Sequence, residues 1–277
     1  MKKAKVILLS GQSNAVGVGH VKYLPEHYEE ETVKRFKEGY KNVLIRYTSH
    51  NIKNEKFEAV RVNQTERTRD TLGPEVGIAK KLTEKYPGEQ FFIIKCAFGG
   101  SDMHVGWRSP SSGVPYDPEM AVEPAKAISD SAYRPLGWCY HEQIGVLDSA
   151  LSELEAMGYQ PEIVAFCWMQ GESDSGNPER ADNYIFRFDA MLHDLRERYS
   201  QYFKNCTYID AGISEMWASF ETMNARKRAY AEKCGHHFID TIAAGLTTKN
   251  EPYENPDTAH YDVSSVVKLG ELFAEYI

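Results

Sequence analysis

The chain reads as an α/β protein, a three-layer α/β/α sandwich around a mostly parallel, flavodoxin-like sheet, on three observations. Short apolar runs alternate with stretches of helical period, the pattern of repeated βαβ units. Two of those runs, Phe91–Ala97 and Ile163–Met169, are apolar on both faces, as central strands of a parallel sheet require. The 277 residues suffice for one large α/β domain and hold no repeat, low-complexity tract or linker to divide them, so 1–277 is expected to be a single domain.

Val6–Leu9 is the first buried strand. Small and polar residues follow at once, so the chain turns there and Ser13 stands at the carboxyl edge, where open α/β sheets place their ligands. Phe91–Ala97 is the next clear strand. Ile144, Leu147, Leu151 and Leu154 then fall on one face of a helix, with Gly158 suited to its end. Beyond the strand Ile163–Met169, Tyr184, Phe188, Leu192, Leu195 and Tyr199 mark a longer helix. Thr207–Asp210 and His237–Asp240 read as shorter strands, and the helix between them runs from about Met223 to Cys234, stopped by Gly235. Ser264–Tyr276 is the last helix. Two stretches resist the pattern. Tyr47–Leu72 is polar and charged, a hairpin or an irregular insertion. Ser101–Gly137 carries five prolines together with Trp107 and Tyr116. Long irregular segments in compact domains are usually lids or binding loops, so this one is expected to border a substrate cleft.

A formal net charge of −8 argues against nucleic acid as a partner, and no apolar run reaches membrane-spanning length. The five cysteines, at 96, 139, 167, 206 and 234, contain no C-x-x-C pair and suggest neither a disulfide framework nor a zinc site. Their scatter favours a reducing compartment. Met1-Lys-Lys-Ala-Lys leads straight into the first strand, and a cytoplasmic location is the expectation. His236 and His237 are adjacent, so a strand would point them to opposite faces, and no H-E-x-x-H spacing occurs. Gly11 to Gly19 lacks the phosphate-loop and dinucleotide fingerprints. No metal and no cofactor are implied, and oligomeric state is not readable.

Four short segments fall at strand ends or helix starts: Gly11-Gln12-Ser13-Asn14, Gly99-Gly100-Ser101, Gln170-Gly171-Glu172-Ser173-Asp174 and Asp257-Thr258-Ala259-His260. Serine, histidine and acid are the parts of a nucleophilic hydrolase, recognised by role and geometry rather than by chain order. Each segment alone has a plain explanation as a turn, a cap or a buried polar group; the four in order do not.

Together they resemble the SGNH (GDSL-like) hydrolase superfamily, and within it the carbohydrate-esterase branch of acetylxylan esterases and sialate O-acetylesterase-like proteins. That branch has Gly-Gln-Ser-Asn and Gln-Gly-Glu-Ser-Asp blocks, both unaltered here, and Gly73-Pro74-Glu75 is similar to a further turn of the family. The resemblance runs from residue 6 to about 270. It implies a serine esterase that removes acetyl or other short acyl groups from an O-acetylated sugar through an acyl-Ser13 intermediate, without a cofactor. Ser13 is then the nucleophile, His260 the base and later the acid, and Asp257 the residue that orients His260. Glu172 competes for that last role; Asp257, three residues before His260, is favoured. The oxyanion donors are the backbone N–H groups of Ser13 and Gly100, with the Gln170 amide as a third. Gln12, Asn14, His104 and Trp107 are candidate substrate contacts, and Tyr116, Trp138, Tyr140 and Tyr253 are further rings that a sugar would stack on. A carbohydrate O-acetyltransferase using the same triad, and a sugar-binding module without catalysis, are the alternatives.

Overall fold

The computed structural model describes residues 2–49, 52–64, 70–118 and 134–277. In chain order the strands are β1 (Lys2–Gly11), β2 (Gly19–His20), β3 (Tyr40–Ser49), β4 (Ile52–Lys53), β5 (Glu58–Val60), β6 (Thr71–Leu72), β7 (Phe91–Ala97), β8 (Tyr159–Met169), β9 (Thr207–Ala211) and β10 (His237–Ile239). The helices are α1 (Ser13–Val16), α2 (Leu24–His27), α3 (Glu30–Glu38), α4 (Pro74–Lys85), α5 (Trp138–Ala156), α6 (Glu172–Ser175), α7 (Pro178–Arg198), α8 (Phe220–Cys234) and α9 (Val263–Glu275).

The main sheet has the order β10-β9-β8-β1-β7-β3-β4, with β5 also on β3; β2 and β6 form a separate two-stranded ladder. From β3 to β10 all the pairings are parallel, and only β4 and β5 run antiparallel to β3. β1 lies between β7 and β8, flanked by the two runs whose apolarity marked them as central. All seven side chains of β7 are buried, which explains why no polar alternation is visible there.

Helices cover both faces, and the register shows which. Ser10, Cys96 and Trp168 are neighbours across three strands and so share a face. On that face the Ser10 hydroxyl donates to Gln143 of α5 (2.6 Å), and the Trp168 indole donates to the Tyr184 hydroxyl of α7 (3.0 Å). Lys95, one residue before Cys96, points the other way. Its ammonium donates to Glu75 Oε2 of α4 (2.6 Å) and to the Val16 carbonyl at the end of α1 (2.7 Å). Both ions are buried, and burial lowers the lysine's pKa while Glu75 opposes that shift. Breaking one half of a buried pair typically costs about 3–5 kcal/mol, so this pair ties the turn after β1 firmly to the underside of the sheet. The architecture is the three-layer sandwich that the sequence predicts.

The first half of the chain resolves one open reading and adds elements that the sequence did not announce. Of the two readings of Tyr47–Leu72, the hairpin is present: Tyr47 to Ser49 finish β3, β4 pairs antiparallel with its end, and β5 and β6 follow. The Gly73-Pro74-Glu75 turn opens α4, with proline at a first-turn position where its missing N–H costs nothing. α3 and α4 themselves are absent from the sequence reading. Among the described residues no helix is long and apolar enough to cross a membrane.

Candidate active site

At the carboxyl end of β1 the backbone is pinned from both sides. The Gln12 N–H donates to Met169 O (2.9 Å), and the Phe98 N–H donates to Gly11 O (3.1 Å). Gly11 has φ +146°, and a Cβ there would sit 1.9 Å from the Met169 carbonyl oxygen, so only glycine fits. The turn starts α1 at Ser13, whose N–H lies in the first turn, where helical donors have no intrahelical acceptor. Ser13 is 8% exposed, and its hydroxyl has no protein partner among the described residues.

Asn14 does more than its neighbours suggest. Its amide nitrogen donates to Glu172 Oε1 (2.9 Å) and Ala259 O (3.4 Å), and its oxygen accepts the Tyr261 N–H (3.0 Å). One side chain beside Ser13 thus grips the backbone on both sides of His260. His260 Nδ1 in turn lies 2.6 Å from Asp257 Oδ2. Two more bonds close that turn, from the His260 N–H to Asp257 O (3.2 Å) and from the Ala259 N–H to Asp257 Oδ1 (3.1 Å). The carboxylate is therefore fixed against one ring nitrogen, and the other nitrogen is left for chemistry.

Several expected contacts are corrected by burial. Asn14 is fully buried and holds the histidine turn. Gln12 is buried too, its oxygen accepting the Gln170 amide (3.1 Å) and the Ser173 N–H (3.1 Å). The Gln170 amide nitrogen donates to Gln12, to Ser101 O (3.3 Å) and to Asp174 Oδ2 (2.7 Å), so its hydrogens are spent inside the protein and not aimed at an oxyanion. Trp107 is fully buried against Phe98 and Trp168, and its indole donates to the Ser101 hydroxyl (2.9 Å); it supports the loop after β7 and offers no face to a sugar. Trp138 and Tyr140 are likewise buried, and Tyr116 is partly buried and stacks on His141. Tyr253 alone of the candidate rings is open, at 49% exposure.

Gly100 N–H has no protein acceptor among the described residues and stays available, next to a segment that is well fastened. Asp102 pairs with Arg180 of α7 (3.0 Å), the Met103 N–H donates to Asp174 (3.0 Å), and Ser111 donates twice to Asp194 of α7 (2.8 and 2.6 Å). The described part of the expected cleft segment is thus bolted to α6 and α7; 119–133 lie outside the described residues. His104 lies in the same charged cluster, where burial and the cations Arg187 and Arg180 lower its pKa.

Under the site, two buried acids differ in surroundings. Burial raises the Glu172 pKa, opposed by the hydrogen bond from Asn14. Burial pushes Asp174 up to about 7, opposed by the Met103 N–H. Among the described residues only one Asp174 oxygen accepts bonds, leaving the other suited to carry the proton. A carboxyl whose folded pKa is raised contributes stability below its unfolded pKa and loses it as pH climbs through the folded value. Asp174→Asn keeps the accepting oxygen without the charge. Its Tm relative to wild type is expected to rise between about pH 4.5 and about pH 8, as measured by thermal melts, and a constant difference would refute the assignment. Lys227 of α8 completes the underside, donating to the Gln170 and Ala211 carbonyls and pairing with Asp210 (3.0 Å). A lysine at a buried helix position has no sequence signature, and nothing in the chain pointed to it. Among the described residues no group of three His, Cys, Asp or Glu side chains is placed to hold a metal ion.

With this geometry in hand, a family model described as carbohydrate esterase, sialic acid-specific acetylesterase, matches residues 3–277. Solved structures agree in fold. A protein from Arabidopsis thaliana is 17% identical with TM-score 0.64, over 99% of this chain and 98% of its own. NanS is also 17% identical with TM-score 0.64, over 99% and 96%. A carbohydrate acetylesterase from Xanthomonas citri is 12% identical with TM-score 0.57, over 98% of this chain and 55% of its own. Among curated proteins none matches significantly by sequence.

Proposed function

Because the chain belongs to the sialic acid-specific acetylesterase family of carbohydrate esterases, enzymes that take acetyl groups from acetylated sugars, we propose that it does so through an acetyl-Ser13 intermediate. The observation that carries this reading is the Asp257–His260 pair at 2.6 Å, gripped on both sides by the residue next to Ser13.

His260 takes the Ser13 proton as the hydroxyl attacks the ester carbonyl, then returns it to the departing sugar oxygen. Asp257 keeps the ring in the tautomer that accepts that proton and stabilises the imidazolium; it does not itself become protonated. The tetrahedral oxyanion is received by the N–H groups of Ser13 and Gly100, and one such donor is worth roughly 3–4 kcal/mol in related reactions. Water, activated by His260, then releases acetate. Glu172 acts through Asn14 as a positioning residue.

The test is labelling and turnover together. A fluorescent phosphonate that reacts with activated serines is expected to modify wild type once, on the peptide containing Ser13, and to abolish hydrolysis of p-nitrophenyl acetate and of an O-acetylated sugar in the same proportion. Full activity with Ser13 modified would remove the proposed nucleophile. Transfer of acetyl to an added sugar in preference to water would make the protein an acetyltransferase.

A further inference from the structure

We infer that the cavity beside the Asp257–His260 turn is a subsite for a neutral sugar ring of the acetylated substrate, with Tyr253 as its aromatic platform. The inference rests on the esterase reading above and deepens it.

The cavity has a volume of about 410 Å³, within the usual range of small-molecule sites, and its walls include His27, Asn250, Glu251, Tyr253, Pro256 and Asp262. Its position follows from the chain. Pro256 immediately precedes Asp257, and Asp262 follows His260 by two residues, so the walls and the turn are one continuous segment. The Glu251 carbonyl accepts the Asp257 N–H (2.9 Å), joining wall to turn directly.

Tyr253 is half exposed yet held still. Its ring packs on Tyr23 with centroids 4.4 Å apart, its backbone N–H donates to the Tyr23 hydroxyl (3.2 Å), and its own hydroxyl donates to Glu26. An open aromatic face fixed from behind by three contacts is preorganised for an apolar partner that also carries hydroxyls. The C–H face of a pyranose is such a partner, since stacking removes apolar surface from water on both sides and the ring's negative face meets C–H groups. The other candidate rings at the site are buried or already stacked on protein, which leaves Tyr253 to supply this contact.

The remaining walls are polar and held in fixed positions by bonds within the protein. Asp262 accepts the Asn250 and Glu251 N–H groups (3.2 and 2.8 Å) and the Asn250 amide (2.9 Å). Glu251 accepts the Val263 N–H (2.8 Å) and lies 3.3 Å from His27 Nε2. Lys249 also borders the cavity, but its charge is taken up by Glu215 at 2.6 Å. Two carboxylates in one wall repel a third, which argues against an anionic ring here, and a sugar without a carboxylate is the partner that suits the open face of Tyr253.

The experiment compares KM for acetylated xylobiose with KM for p-nitrophenyl acetate, which has no sugar. Tyr253→Ala is expected to raise the ratio of the two KM values about tenfold, chiefly through the sugar ester. Tyr253→Phe keeps the ring and is expected to retain the wild-type ratio. An unchanged ratio in Tyr253→Ala overturns the subsite, whether both activities fall together or neither moves. Wild type that hydrolyses p-nitrophenyl acetate but no acetylated neutral disaccharide overturns it as well. Wild type that hydrolyses no ester at all refutes the esterase reading itself, a separate failure.

Discussion

Ser13→Ala is expected to lower kcat on p-nitrophenyl acetate by about 10⁵-fold while leaving the fold intact, because removing a triad nucleophile costs nearly as much as removing the whole triad. The hydroxyl is the only atom lost, and it has no protein hydrogen-bond partner among the described residues. Its removal strands no buried group, so the unfolding free energy should stay within about 0.5 kcal/mol of wild type. The turn is held by its backbone, through Met169 O and Gly11 O, and neither bond depends on the side chain. What remains in the variant is the oxyanion pocket and substrate binding, which in serine hydrolases still leaves roughly 10³–10⁴-fold over water. Steady-state hydrolysis and a urea melt on the same preparation decide the matter. A variant within tenfold of wild type would remove Ser13 from the reaction, and a variant that is both inactive and unfolded would mean that the side chain is structural.

The sheet was legible where both faces of a strand are covered. Phe91–Ala97 coincides with β7 because each of its side chains is buried, and the stripe from Tyr184 to Leu195 lies on α7, with Tyr199 capping its end, because that helix has one dry face. β3 was missed for the opposite reason. It carries Lys41, Asn42 and Arg46 and looks like surface, yet Arg46 is buried by an ion pair to Glu153 of α5 that no local pattern announces. α4 was hidden by Gly77 in its middle, a residue that lowers helix propensity but here lets the helix touch α9, since a Cβ would sit 1.9 Å from the Val267 carbonyl oxygen.

The chemistry-bearing residues at the site follow from residue type and from their place at strand ends. Their partners do not. Asn14 reads as a ligand contact because an amide after a nucleophilic serine faces the cleft in the simplest picture. Its real partners lie 158 and 245–247 residues away, and only the closed fold brings them within reach. Trp107 fails in the same way: an aromatic residue in a proline-rich loop looks exposed, and the loop's attachment to α7 puts it in the core instead.

Asp257→Asn is expected to lower kcat by about 10³–10⁴-fold, and Glu172→Gln by less than about tenfold, an order that assigns the triad acid. The two carboxylates stand in different relations to His260. Asp257 Oδ2 is 2.6 Å from Nδ1, while Glu172 Oε1 is spent on the Asn14 amide and its other oxygen is buried with no partner among the described residues. An amide at 257 can present an N–H where the ring must donate, which turns the imidazole to the wrong tautomer and takes away the charge that stabilises imidazolium. At 172 the glutamine oxygen still accepts from Asn14, so the grip on Ala259 and Tyr261 survives. Burial also raises the Glu172 pKa, so a neutral side chain there is the smaller change. The dependence on Asn14 can be separated from charge: Glu172→Ala removes the acceptor and should cost more than Glu172→Gln, with the loss in kcat rather than in KM, because a loosened His260 affects proton transfer and not sugar contacts. If Glu172→Gln proves the more damaging of the two isosteric changes, the acid of the triad is Glu172, and the Asp257–His260 contact only shapes the turn.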